Sequence, residues 1–311
     1  MIGYYAQDPK KSFELLLLLR EFTNLWLDAR SGKLGAKEKE RFGRLVDELA
    51  GGLNILPFRG WLLKNMLSRR PKLLPEWTGI PDAVDRILAV LTEYLAYVCD
   101  HIVWQNISQT PSTIDDYVKK KQGEETNGLI FEIIVRRWLK EVLKGYWLNV
   151  QNLTIPIKPK LVNIPKIDKI EERLWHSIEL DAFSLSRFDN QYIAAVAEIK
   201  WRLNVTDDGE ILDYKRRYIH ELLPVKLKEV ASHFKRFLGI NVNYAEVALI
   251  SNTPVTNKST AIDTLYRKLS EHNVKFKEVR LYDLDDIYYS VKNSNHPLKG
   301  VVEYISTLKQ A

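Results

Sequence analysis

The chain has 311 residues, 45% of them hydrophobic and 28% charged, a balance that suits a globular protein and excludes a disordered one. Lysine and arginine outnumber aspartate and glutamate by 46 to 40, an excess compatible with a polyanionic partner without requiring one. The single cysteine, Cys99, excludes an internal disulfide and a cysteine cage for zinc or an iron–sulfur cluster. It suits a buried structural thiol in an intracellular, cytoplasmic protein.

The opening "MIGYYAQDPKK" lacks the charged head and long apolar core of a secretory signal, so none is expected. The leucine run at 15–19 is closed by Glu14 and Arg20, far short of a membrane span, and no membrane partner is expected. Apolar residues from Ser12 to Arg30 predict a core helix, ended by the glycines of "SGKLG". Phe42, Leu45, Val46 and Leu49 recur at helical spacing in a second stretch. After several prolines a third helix is expected from Pro81 to about Trp104. Nothing in this third of the chain alternates as a strand does, so residues 1–108 are expected to form an all-α domain. The polar, proline-bearing stretch around "QNISQTPSTIDD" marks a linker at 109–123.

Residues 124–311 have a different pattern. "ETNGLIFEIIVRRWLKEVLKG" is a helix, and "YWLNVQNLTIPI" alternates as a strand that Pro156 and Pro159 should end at an edge. "LWHSIELDAFSLSR" and "QYIAAVAEIKWR" are strand candidates joined by "FDN", the mark of a tight antiparallel hairpin. A basic helical region follows, interrupted at Pro224. Beyond it come a buried strand at "YAEVALISN", a helix, a strand at "VKFKEVRLYD", and a tail of helix, loop, helix. There is no repeat and no glycine-rich phosphate loop.

The chemistry sits in the hairpin. Alternate residues of a strand share a face, so Glu198 and Lys200 point the same way, and Asp181 on the partner strand can lie beside Glu198. Carboxylates on a buried face are costly unless they are paired or bound to a metal. Two acids plus the Ile199 carbonyl suit Mg²⁺, which takes few protein oxygens and keeps its waters. Lys200 could hold an attacking water or neutralise charge growing on a phosphorane, and Glu132 on the preceding helix could reach the metal from the side. Equally, these charges could form an ordinary edge-strand salt bridge.

With Glu132 on a helix, Leu180-Asp181 on one strand and Glu198-Ile199-Lys200 on the next, the chain resembles the PD-(D/E)XK nuclease superfamily. The likeness is greatest to archaeal Holliday-junction resolvases and the nuclease-like domains attached to archaeal ATPases. The resemblance covers only the C-terminal three-fifths of the chain. It implies an α/β fold with a restriction-endonuclease-like αβββαβ core, a mixed central sheet flanked by helices. It also implies Mg²⁺-dependent hydrolysis (Mn²⁺ substituting) of DNA, less often RNA. The metal-binding and catalytic roles then fall on Asp181, Glu198, Glu132 and Lys200, with the Ile199 carbonyl a further ligand. Leu180 stands where the family name has proline. No "QxxxY" follows, and the lone cysteine excludes the iron–sulfur branch. Nucleases of this fold often cut two strands as dimers, which makes a homodimer an implied partner. Arg202, Lys226, Lys228, Lys235 and Arg236 are the candidate nucleic-acid contacts, because they follow directly on the site. A nucleic-acid-binding or assembly module that keeps the fold without turnover is the alternative.

Overall fold

The computed structural model describes residues 8–30, 35–38, 40, 41, 44, 96, 98–118, 124–188 and 191–308. Most of the helix expected around Phe42 to Leu49, most of the one opening at Pro81, and the Asp189-Asn190 turn lie outside the described residues. The chain divides into two compact units, Met1–Asn106 and Ile107–Ala311. In the first, α1 (Pro9–Arg30) begins where Asp8 Oδ1 accepts hydrogen bonds from the backbone N–H groups of Lys10 and Lys11, satisfying donors that the first turn leaves open. Its leucine run packs rather than spanning anything: Phe13, Leu15, Leu16, Leu19 and Phe22 are all buried. Arg41 reaches Glu21 of α1 at 2.6 Å. Among the described residues no helix is long and apolar enough to cross a membrane.

The second unit is a mixed α/β fold. Where a linker is expected, residues 111–113 form a helical turn and α2 (Ile114–Val118) follows, with Ile114 and Tyr117 buried. The polarity of "QNISQTPSTIDD" conceals Ile114, and Tyr117 follows directly on it. Next come α3 (Glu124–Trp138), β1 (Gln151–Pro165), β2 (Ile170–Phe188), β3 (Gln191–Lys200), and a short pair of strands, β4 (Leu203–Val205) and β5 (Ile211–Asp213). The chain continues through α4 (Ile219–Leu238), β6 (Val242–Ser251), α5 (Lys258–Glu271), β7 (Phe276–Asp283), α6 (Leu284–Val291) and α7 (Leu298–Leu308). Five strands form one sheet in the order β1-β2-β3-β6-β7. β1, β2 and β3 run antiparallel, and β3, β6 and β7 run parallel.

β1 continues past Pro156 and Pro159 to Pro165, where an earlier end is expected. It is the edge strand, so a missing N–H need not break a ladder, and its register with β2 shifts between Pro156 and Lys160. α4 likewise runs unbroken through Pro224. That proline lies in the second turn, where only one intrahelical bond is lost and packing of the buried face offsets it. Ile219, Leu223, Leu227, Val230 and Phe234 of α4 join Val196, Val247 and Leu249 in the main core. Phe234 stacks on Phe183 at 5.7 Å, and the Tyr244 hydroxyl donates to the Leu227 carbonyl at 2.8 Å. The other sheet face receives α3, with Phe131 edge-on to Trp201 and Trp138 edge-on to Tyr282. β3 is thus covered on both faces, which explains its Ala194-Ala195-Val196-Ala197 run with no exposed side chain.

Candidate functional site

The register of β2 against β1 explains how Asp181 comes to lie where it does. Leu153 faces Leu180 and Gln151 faces Phe183, so the single residue Asn152 stands opposite both Asp181 and Ala182. That is a β-bulge, one extra residue that kinks the strand and re-aims its side chains. Core-facing positions accordingly pass from even numbers (Ile178, Leu180) to odd ones (Phe183) across it. On its other side β2 pairs with β3 down to Ala182↔Ala197, and the ladder stops there. In place of the next ladder bond, the Ile199 N–H donates to Asp181 Oδ2 at 2.8 Å.

Lys200 closes the group. Its Nζ lies 2.8 Å from Asp181 Oδ2 and 2.8 Å from Glu198 Oε1. A second ammonium, Lys226 of α4, donates to Glu198 Oε1 at 2.7 Å and to the Glu179 carbonyl at 3.1 Å. From the α3 side, Arg136 Nη1 donates to the Asp181 carbonyl at 2.9 Å and lies 3.4 Å from Glu132 Oε2. Glu132, Arg136, Asp181 and Glu198 are all buried. Burial alone would raise the Asp181 carboxyl. The charges of Lys200 and Lys226, with the bonds from Lys200 and Ile199, instead hold it below the usual carboxylate range. Burial would likewise lower the Lys200 ammonium, but the Asp181 and Glu198 charges and their hydrogen bonds push it above the ordinary lysine value. Both groups are therefore ionised at neutral pH.

The structure brings Asp181, Glu198 and Lys200 into contact and adds Lys226. Glu132 meets Asp181 through Arg136 and the strand backbone. Arg202 is exposed just after Trp201. On α4, Lys228, Lys235 and Arg236 are exposed while Lys226 turns inward to Glu198, so the basic residues of the helix do not share one face. Arg136 is absent from the sequence-based set, although an arginine one helical turn after a glutamate in an apolar run is a readable signal. Asn252 is another such residue. It follows β6, its N–H donates to the Lys200 carbonyl at 3.2 Å, and its fully buried side-chain amide has no partner on either atom.

A hard divalent cation needs oxygen donors. All the hydrogen bonds to the Asp181 carboxylate fall on Oδ2, and Glu198 Oε2 is buried without a partner. In a strand, a residue's N–H and C=O point to the same side, so the Ile199 carbonyl faces the Asp181 side with its N–H. Two carboxylates and a carbonyl are thus a donor set that fits Mg²⁺ with retained waters. Among the described residues no group of three or more His, Cys, Asp or Glu side chains is placed to hold a metal, so the fit rests on two acids. No family model, curated protein or solved structure matches the chain.

Proposed function

We propose that the chain is a Mg²⁺-dependent nuclease that hydrolyses phosphodiester bonds, with DNA as its substrate. The observation that supports this most is Glu198 Oε2, a buried carboxylate oxygen with no partner, next to an ionised Asp181 at a β-bulge. An unsatisfied buried carboxylate oxygen costs at least about 1–3 kcal/mol, which a bound cation would relieve. The element order α3, β1, β2, β3, α4, β6 further supports a restriction-endonuclease-like reading.

In this reading Asp181, Glu198 and the Ile199 carbonyl hold the cation, and Glu132 orders the shell from behind Arg136. The cation, when bound, would polarise the scissile phosphate and lower the pKa of a water. Lys200 orients the attacking water and stabilises the extra negative charge of the transition state. Arg136 keeps the bulged backbone at Asp181 in place. Lys228, Lys235, Arg236 and Arg202 present positive charge for the phosphate backbone.

A second reading, a nucleic-acid-binding or assembly module without turnover, is favoured by one observation. Lys200 and Lys226 already balance the charges of Asp181 and Glu198. Incubation with Mg²⁺ or Mn²⁺ and labelled duplex, single-stranded and branched DNA and RNA separates the two. Metal-dependent cleavage supports the nuclease, and binding without cleavage supports the module.

A further inference from the structure

We propose that Lys226 is an internal counter-cation that holds Glu198 when the site lacks a divalent ion and must leave it when one binds. The inference rests on the proposed metal site. Two carboxylates and two ammonium groups form a neutral cluster whose members are mostly buried. A divalent ion added to it would leave two uncompensated positive charges in a desolvated place, so one ammonium has to withdraw.

The contacts identify which one. Lys200 bridges Asp181 and Glu198, and both it and Glu198 lie on β3 with fixed register. Lys226 touches only one carboxylate, Glu198 Oε1 at 2.7 Å. Its other bond goes to the carbonyl of Glu179, a residue exposed to solvent. Its side chain is also the more accessible, at 19% against 13% for Lys200. Lys226 is therefore the less buried of the two and is held by one carboxylate, whereas Lys200 is held by two. Glu198 Oε1 is the oxygen that both ammonium groups occupy, and Oε2 is the one left without a partner. Withdrawal of Lys226 would leave Lys200 as the one ammonium on Glu198 Oε1 and lower the positive charge beside the unpartnered Oε2. The freed ammonium, still tethered to α4 and next to the outward-facing Glu179, would then meet a phosphate of the polyanion.

Such a residue competes with the metal, so its removal should tighten metal binding, the reverse of what loss of a merely structural residue does. Mn²⁺ alone, titrated into the full chain and followed by the paramagnetic resonance of the free ion, is the probe. Lys226→Met and Lys226→Gln should each bind Mn²⁺ at least about tenfold more tightly than the parent, the scale expected when one nearby unit charge is removed. The glutamine keeps a hydrogen bond to Glu198 if the methionine variant does not fold. Mn²⁺ should also raise the melting temperature of either variant more than that of the parent. Parent binding with equal or weaker affinity in the variants overturns the counter-cation role and leaves the metal site standing. No Mn²⁺ binding by parent or variants, with Asp181→Asn as reference, overturns the metal site and this inference with it.

Discussion

Removal of the Lys200 charge is the most informative perturbation of the cluster. Lys200→Met keeps the length and apolar stem of the side chain and deletes an ammonium that lies 2.8 Å from each of two carboxylates. Breaking a buried ion pair costs about 3–5 kcal/mol, because the remaining charge is left uncompensated. Glu198 keeps Lys226, and Asp181 keeps the Ile199 N–H, which places the loss at the lower end, about 3 kcal/mol. For a unit of this size each kcal/mol lowers the melting temperature by about 2–4 °C, so the variant should melt roughly 6–12 °C below the parent at pH 7 without added metal. The pH dependence follows from the direction of the shifts. Asp181 is held below its unfolded value, so its contribution is full above about pH 4 and is lost as pH falls through the folded value. Lys200 is raised, so its contribution is full below about pH 10 and is lost only above that. The gap between parent and variant, measured by circular dichroism melts, should therefore narrow on the acid side of about pH 4. A variant that melts within about 2 °C of the parent at pH 7 would show that Lys200 is solvated and does not bridge the two acids.

Three further outcomes are expected. Replacing Lys228, Lys235 and Arg236 with alanine should leave the fold intact and reduce the salt slope of duplex binding by up to about 0.9 for each phosphate that is no longer neutralised; an unchanged slope would place the outer face of α4 away from DNA. Phe234→Ala removes one ring of the stack on Phe183 and should cost about 3–4 kcal/mol in urea unfolding, while Lys235→Ala beside it should cost under about 0.5 kcal/mol. Burial lowers the His220 pKa, and its Nδ1 accepts the Ile211 N–H. The unfolded chain thus takes up a proton that the folded one resists, and stability should fall as pH drops below about 6.5. His220→Gln should flatten that branch, and an unaltered acid slope would show that His220 is protonated when folded.

The strands of the sheet are legible in the sequence because their side chains carry the signal. "QYIAAVAEIK" and "YAEVALIS" are apolar on both faces, as strands covered by helices must be, and α3 and α5 carry plain helical periodicity. The pairing of Asp181 with Glu198 and Lys200 follows from hairpin register. The bulge does not, because a single extra residue leaves no mark in hydrophobicity when Leu180, Ala182 and Phe183 are all apolar. β4 and β5 escape sequence reading for a related reason: each is three residues long and is secured by contacts distant in sequence, including the Leu203 N–H bond to Ser251. Charge patterning alone groups Lys226 with the outward-facing basic residues. Its inward turn depends on where α4 lies against β3, which that patterning does not specify. Pro224 and Pro159 break less than their local chemistry suggests, since one missing hydrogen bond is small beside a packed helix face or an edge strand.

The most direct measurement is single-turnover cleavage of a labelled duplex in Mg²⁺ by the parent and by Asp181→Asn, with matching circular dichroism spectra as the check on folding. Metal-dependent cleavage by the parent, and its loss by several orders of magnitude in the near-isosteric variant, is the expected result. Equal cleavage by the two proteins, or none by the parent on any duplex, single-stranded or branched substrate, would contradict a nuclease centre at Asp181, Glu198 and Lys200.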